Sequence, residues 1–323
     1  MATYLITGVA GFIGSHLARA LLARGDQVRG VDDFSTGRRE NIAEIQAQLD
    51  FRPISIMDDK ALADACHGVD CIFHEAAIPS VPRSVKDPLG TCQVNVMGTL
   101  NVLAAAREAQ VRRVVYAASS SAYGDTPTLP KQEAMLPRPI SPYAVAKLAS
   151  ENFMQSFWRC YGLETVSLRY FNIFGPRQDP TSMYSAVFAK FITAMLEGKA
   201  PTIYGDGEQS RDFTYIDNAV AANLLAAAAP AEKAAGRVFN IATGRRVTLN
   251  QAYAVLQKLT GFGGEVIHAQ ERAGDIKHSL ADIGEAQRQL AYQVQVDFEQ
   301  GLSRTVEWYR EQQKLAASPV AAT

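Results

Sequence analysis

The chain opens on an apolar run that passes into a helix through three glycines, Tyr4-Leu5-Ile6-Thr7-Gly8-Val9-Ala10-Gly11-Phe12-Ile13-Gly14. This opening reads as strand, phosphate loop and helix. Without Cβ atoms, Gly8 and Gly11 permit a tight turn and close backbone approach to a pyrophosphate, while Gly14 lets the helix lie against the strand. The amides of the first helical turn, where Phe12 and Ile13 fall, then face an anion. The spacing G-x-x-G-x-x-G is one residue longer at its first gap than the general dinucleotide fingerprint. A second apolar run, Gln27 to Val31, ends in Asp32-Asp33, the distance at which an acid holds the adenosine ribose hydroxyls. Phe34, Ser35, Thr36 and Gly37 continue that loop. A carboxylate at Asp32 would repel a 2′-phosphate, which favours NAD, although Arg38 and Arg39 follow closely enough to keep NADP open. An ordinary glycine-rich turn is the plainer alternative for the loop alone; loop and acid together favour the nucleotide.

Strand and helix patterns alternate from there. Asn41 to Leu49 reads as helical, Phe51 to Ile56 as a short strand running on to Asp58, and Cys71 to Ala77 as a strand whose exit, Ala76-Ala77, is small enough for a flat ligand. Thr91 to Gln110 shows helical spacing and Arg113 to Ala118 is a buried strand. The pattern predicts an α/β fold, a doubly wound parallel Rossmann sheet that binds ligands beyond the carboxyl ends of its strands. From Pro176 the strands shorten, and Ile203 to Glu208 reads as hairpin turns. Ala219 to Ala229 and Val238 to Ile241 look like a return to the sheet. We therefore expect an NAD-binding domain at 1–171 with 215–243, a smaller mixed α/β substrate domain at 172–214 with 244–315, and a flexible tail at 316–323. A net charge of −1 gives no field for nucleic acid or an anionic membrane. No apolar run approaches the roughly eighteen residues that span a bilayer. The four cysteines form no metal-ligand spacing, so no metal is expected. With a strand rather than a signal peptide expected at the start, the setting expected is reducing and cytoplasmic.

Directly after Ala118 come Ser119-Ser120-Ser121, hydroxyls at the sheet edge where a nicotinamide would lie. Taken alone they are a polar turn. They are followed by Ser141-Pro142-Tyr143-Ala144-Val145-Ala146-Lys147, with Ser141 a natural N-cap and Pro142 suited to the first helical position. Tyr143 and Lys147 thus share one helix face. A free phenol titrates near 10, so work as a base at neutral pH needs about three pK units, roughly 4 kcal/mol in favour of phenolate. Lys147 one turn away and the positive nicotinamide of NAD+ could supply it in a desolvated cleft. Ser119 would share its hydrogen bond with a substrate hydroxyl. This is alcohol oxidation without a metal.

The glycines at 8, 11 and 14 with Tyr143-x-x-x-Lys147 resemble the extended short-chain dehydrogenase/reductase family over nearly the whole chain. Within it the sequence is similar to bacterial UDP-hexose 4-epimerases, those acting on UDP-N-acetylglucosamine in particular. The further matches are Ser80 to Ser84 (Ser-Val-Pro-Arg-Ser), Asn95 in Asn-Val-Met-Gly-Thr, Arg169-Tyr170-Phe171-Asn172, Arg211-Asp212 and Arg272-Ala273-Gly274-Asp275. The resemblance implies NAD contacts from Ile56, Asp58, Ala76, Ala77, Asn95 and Ala118, and Tyr170 and Phe171 flanking the nicotinamide. It implies UDP-sugar contacts from Ser80, Arg83, Asn172, Ala186, Val187 and Tyr204. Arg211 and Arg272 would take the diphosphate as guanidinium forks and Asp275 the uridine ribose. A homodimer through the helices Thr91 to Gln110 and Pro142 to Tyr161 is implied by likeness alone.

Similar 4-epimerases that exclude N-acetyl sugars carry a bulky aromatic four residues beyond the position of Asp275. Here that residue is Ser279, which predicts activity on UDP-GlcNAc/UDP-GalNAc, with UDP-Glc/UDP-Gal also in range. UDP-glucuronate 4-epimerase remains an alternative, since one arginine could meet a C6 carboxylate. Nucleotide-sugar dehydratases resemble one another in an Asp-Glu pair where this chain has Ser120-Ser121, and decarboxylases in a glutamate there. A noncatalytic NAD-binding regulator would be expected to lack Tyr143 or Lys147.

Overall fold

The computed structural model describes residues 2–180, 187–271 and 277–317. Six strands come first: β1 (Thr3–Thr7), β2 (Gln27–Val31), β3 (Asp50–Arg52), β4 (Cys71–His74), β5 (Arg113–Ser119) and β6 (Glu164–Tyr170). Shorter ones follow: β7 (Ile173–Phe174), β8 (Thr202–Tyr204), β9 (Ser210–Arg211), β10 (Thr214–Tyr215), β11 (Arg237–Ile241), β12 (Val247–Thr248) and β13 (Ile267–Ala269). The helices among the first six strands are α1 (Phe12–Ala23), α2 (Asp59–Cys66), α3 (Val81–Lys86), α4 (Pro88–Cys92), α5 (Gly98–Glu108) and α6 (Pro142–Tyr161). Beyond them lie α7 (Val187–Leu196), α8 (Ile216–Ala228), α9 (Ala231–Ala234), α10 (Leu249–Thr260), α11 (Gly284–Leu290) and α12 (Phe298–Ala317).

Seven strands form one parallel sheet in the order β11-β6-β5-β4-β1-β2-β3, the Rossmann arrangement the alternating pattern predicts. Both faces are buried because successive side chains of a strand point opposite ways. Leu5, Ile72 and Val114 pack toward α2, α5 and α6, while Ile6, Phe73 and Val115 pack toward α1 and α8. Strand order reverses between β1 and β4, so a crevice opens beyond their carboxyl ends. Around it, β7 pairs with β10, β9 with β12, and β8 with β13. The rings of Phe174, Phe188, Phe213 and Phe298 hold α7 and α12 over these short strands, with centroids as close as 4.5 Å.

Several elements differ from the sequence expectation. Residues 41–49 form two 3₁₀ turns, Arg39–Asn41 and Gln46–Gln48, not a helix. The Asn41 carbonyl is taken by Arg19 Nη1 at 2.7 Å, which competes with an i to i+4 bond from that carbonyl, while the Asn41 side-chain Nδ2 donates to the Ala10 carbonyl at 2.9 Å. β3 stops at Arg52 because Pro53 has no N–H to donate. Asp58 is the N-cap of α2, accepting from Ala61 N at 3.0 Å. β8 pairs in parallel with β13 instead of folding back on β9. Gly205 (φ +85°) and Gly207 (φ +79°) do turn the chain, but Asn250 Nδ2 enters the turn, donating to the Asp206 carbonyl at 3.0 Å, and the strands on either side diverge. α12 continues through Ala317, two residues into the expected tail.

Candidate active site

The glycine loop has no room for side chains. A Cβ on Gly14 would stand 2.2 Å from the Gly8 carbonyl oxygen, and one on Gly8, whose φ is +71°, would stand 2.8 Å from the backbone of Ala76. The loop from β1 and the exit of β4 therefore touch backbone to backbone. Gly11 begins α1 with no capping side chain, and the first turn holds no acid. The unbonded amides of such a first turn suit an anion.

Asp32 closes the other end of the crevice. It is 7% exposed, with Oδ2 accepting from Ala10 N at 2.9 Å and Oδ1 from Phe34 N at 2.8 Å. Two lone-pair positions remain for ribose hydroxyls. Burial pushes its carboxyl up, and those backbone amides oppose the shift. At Asp33 burial is outweighed by hydrogen bonds from Ser35 and Ser55, which hold it low. The 35–37 turn lies on Asp32: a Cβ on Gly37 would be 2.7 Å from its carboxylate. Arg39 stacks on the Phe34 ring, 4.1 Å from its centroid, and Arg38 reaches Asp179 at 3.5 Å. Both arginines thus have partners inside the protein.

Beneath the crevice, Thr7 Oγ1 meets His74 Nδ1 at 2.7 Å, and His74 Nε2 meets Thr99 Oγ1 at 3.0 Å. The Thr99 hydroxyl donates to the Asn95 carbonyl at 2.6 Å, so it accepts from His74 Nε2–H, and Nδ1 accepts from Thr7. One neutral tautomer satisfies every group, and burial holds the imidazole down to about 3. Asn95 itself braces the loop after β4: its Oδ1 accepts from Ile78 N at 2.8 Å and its Nδ2 donates to Ile78 O at 3.2 Å. Ile56 is buried, its carbonyl held by Asn101 Nδ2 at 3.1 Å.

Ser141 caps α6, accepting from Ala144 N at 3.2 Å, and Pro142 occupies the first turn. Tyr143 N donates to Ser84 Oγ at 3.0 Å, which ties the end of α3 to the first turn of α6. Burial raises the Tyr143 phenol above its ordinary value, and the Ser119 hydroxyl beside it works the other way. Ser119 Oγ accepts from Ser121 N at 3.2 Å and from Ser121 Oγ at 2.8 Å. Ser120 and Ser121 form a 3₁₀ turn with Ala122 and Tyr123. Lys147 donates to the Ala117 carbonyl at 2.8 Å. Burial lowers its ammonium to about 8, with Glu75 opposing.

On the far side of the cleft, the Tyr170 hydroxyl donates to Glu75 Oε1 at 3.0 Å and Phe171 N donates to the Ile241 carbonyl at 3.1 Å. Asn172, at φ +41°, donates to the Asp212 carbonyl at 3.1 Å and stands 3.5 Å from Ser279 Oγ. Arg211 Nη1 donates to the carbonyls of Ser210 and Lys277, both at 3.0 Å. Asn172, Arg211 and Ser279 are thus gathered together, although 107 residues separate the first and last. Ser80 caps α3 by accepting from Arg83 N at 3.2 Å, Arg83 is exposed, Val187 begins α7, and Tyr204 ends β8 half-exposed. Ala186, Arg272 and Asp275 lie outside the described residues. Sequence reading missed Glu75, Ser84 and His74. Glu75 carried a signal, an acid directly after a buried strand; Ser84 stood unremarked inside a quoted motif.

The NAD dependent epimerase/dehydratase family profile matches residues 4–242. The chain is 39% identical over 310 residues to a UDP-glucose 4-epimerase of Mycolicibacterium smegmatis, covering 95% of this chain and 98% of that one. A solved UDP-N-acetylglucosamine 4-epimerase from Methanobrevibacter ruminantium, in complex with UDP-N-acetylmuramic acid, superposes with a TM-score of 0.91 at 39% identity, over 96% of this chain and 99% of the other. A mutant UDP-glucuronic acid 4-epimerase from Bacillus cereus, solved with a fluorinated UDP-glucuronic acid and NAD, gives 0.89 at 32% identity over 96% and 99%.

Proposed function

We propose a reaction from a plain premise: the chain belongs to the NAD dependent epimerase/dehydratase family. The resemblance to the extended short-chain dehydrogenase/reductases is thereby borne out. NAD is its cofactor, and the residues present fit it: a loop whose glycines admit no Cβ, a helix start with neither cap nor acid, and Asp32 with lone pairs free for a ribose. The residues proposed to hold it are Gly8, Gly11, Phe12, Ile13, Asp32, Ala76 and Ala77, with Asp33 and the 34–37 turn behind them. Bound NAD supplies a reversible hydride acceptor, the chemistry that turns a sugar carbinol into a ketone and back. Asn95 and Ile56 are proposed to contact NAD as well, Asn95 bracing the Ile78 backbone and the Ile56 carbonyl held by Asn101.

The reaction is the 4-epimerisation of UDP-hexoses. The observation that carries it is the grouping of Ser119, Tyr143 and Lys147 at the carboxyl end of β5. Tyr143 accepts the 4-hydroxyl proton of the sugar, and Ser119 keeps that hydroxyl in line. Lys147 favours the phenolate electrostatically. The 4-keto sugar then turns over in the cleft, and Tyr143 returns the proton once the opposite face is presented. Turning requires firm contacts to UDP and weak ones to the sugar. Arg211, Arg272 and Asp275 are proposed for the first role, Ser80, Asn172 and Val187 for the second.

The sugar proposed is UDP-GlcNAc/UDP-GalNAc, with UDP-Glc/UDP-Gal also admitted. Ser279 beside Asn172 supports this, since a short hydroxyl side chain leaves room for a 2-acetamido group. We propose also that two copies associate through the side formed by residues 91–110 and α6, where Met97 and Val145 are each 49% exposed. A panel of UDP-sugars with NMR of the products tests the reaction. Inversion at C4 of the N-acetylhexoses is expected; inversion confined to UDP-glucuronate would replace the substrate, and no inversion of any sugar would overturn the reaction. Tyr143→Phe should lower turnover by about 10²–10⁴-fold, and turnover at the parent rate would contradict the base assignment.

A further inference from the structure

Lys147 is 4% exposed, its ammonium donating to the Ala117 carbonyl and lying 4.8 Å from the centroid of the Tyr116 ring. A carbonyl and a ring do not neutralise a buried ammonium, which needs an anion or gives up its proton. Glu151, one turn further along α6, is spent on Arg169, with contacts of 2.8 and 2.7 Å. Glu75 is differently placed. The β4–β5 register sets His74 opposite Tyr116, so Glu75 leaves the sheet beside Ala117, whose carbonyl holds Lys147. The β5–β6 register sets Ser119 opposite Tyr170, which brings a phenol to the same edge. Tyr170 donates to Glu75 Oε1 at 3.0 Å, Asn223 Nδ2 on α8 donates to the Tyr170 hydroxyl at 2.6 Å, and Glu75 N donates to the Thr7 carbonyl at 3.2 Å.

We propose that Glu75 is a positioning residue for the reaction: its carboxylate, held by Tyr170, whose hydroxyl Asn223 holds in turn, is the counter-anion that keeps Lys147 protonated while Tyr143 exchanges its proton. This rests on the reading of Tyr143 and Lys147 given above. The groups facing the pair are Tyr143 and Glu151 on α6, Tyr116 on β5, Arg169 and Tyr170 on β6 and His74 on β4. Burial raises the three phenols and lowers the imidazole, while Arg169 and Glu151 neutralise one another. Burial raises the Glu75 carboxyl to about 7, with Tyr170 and then Lys147 pulling it back, and burial lowers Lys147 to about 8 with Glu75 opposing. Each group favours the other's charge. Without the carboxylate, Lys147 would lose its proton at lower pH.

The test is an NMR titration of the lysine side-chain amines in the NAD-loaded protein, with the Lys147 signal assigned by its loss in Lys147→Met. Glu75→Gln keeps the volume and an acceptor for Tyr170 but no charge. Its Lys147 midpoint should fall by about one pH unit, and the alkaline limb of kcat/KM should move with it. In the parent protein the Lys147 signal should also register ionisation of Glu75 below its own midpoint. That inflection decides the matter should Glu75→Gln fail to fold. A midpoint that stays put, or a parent titration without the inflection, overturns the counter-anion. A midpoint that moves without the limb overturns its part in the reaction. The titration reads the pair whatever the reaction is, whereas Lys147→Met turning over at the parent rate would sink the reading beneath it.

Discussion

Ser279 and Asn172 meet 3.5 Å apart, and the gate proposed is that the size of the side chain at 279 selects the hexose. Ser279→Tyr should cut kcat/KM for UDP-GlcNAc at least about tenfold more than for UDP-Glc, since a filled pocket costs a few kcal/mol only to the ligand that needs it. Equal losses on both sugars would refute the gate. His74 yields a second prediction at this scale. Its imidazole is held to about 3 in the fold against an ordinary 6.5, so as pH falls below 6.5 the unfolded chain takes up the proton first. Stability is therefore lost on acidification through that window, at about 1.4 kcal/mol per pH unit for this one group. Denaturant titrations across pH should show a shallower slope in His74→Gln, and a slope equal to the parent's would contradict the neutral tautomer. Tyr143 and Lys147 were legible in the sequence because cap, proline and helical spacing are written within seven consecutive residues. The pairing of Glu75 with Lys147 was not, because the groups around it come from β5, β6, α6 and α8, and only the strand register brings them together.

At the scale of elements, the seat proposed for the pyrophosphate depends on the contact of α1 with β1. Gly14→Ala would drive a methyl to within 2.2 Å of the Gly8 carbonyl oxygen, so the helix must back away from the strand. The expected cost is about 1–3 kcal/mol, with loss of NAD from the purified protein. Gly25→Ala is the comparison: φ is +80° but nothing lies within 4 Å of the new methyl. It should cost about 1 kcal/mol and leave NAD in place. Thermal unfolding with absorbance of retained nucleotide checks both, and equal retention would contradict the cradle. Elements with local punctuation were readable: Ser141-Pro142 before α6, and the apolar runs of β1, β2 and β5. Residues 41–49 misled because Arg19, on a neighbouring helix, captures the carbonyl a helix would need. The turn at 205–207 misled because glycines mark a reversal without saying which strand is met next, and that strand is β13, some sixty residues on.

Across the whole molecule, the seven-stranded sheet brings the glycine loop, Asp32 and the Ser119, Tyr143 and Lys147 group to one edge. The segments proposed as the substrate domain, 172–214 and 244–315, reach the cleft through Asn172, Arg211 and Ser279. The sheet was legible because its strands follow one another in a repeating pattern; the grouping of Asn172 with Ser279 depends on short strands that carry little pattern of their own. The division of labour proposed is that the sheet oxidises and the remainder grips the nucleotide while the sugar turns. A direct check is to supply UDP-GlcNAc carrying deuterium at C4 and follow the products by NMR. UDP-GalNAc with the deuteron still at C4 is predicted, since the hydrogen is lent within one closed cleft and returned to the same carbon. UDP-GalNAc that has exchanged that deuteron for solvent hydrogen, or no C4 epimer at all, would contradict it.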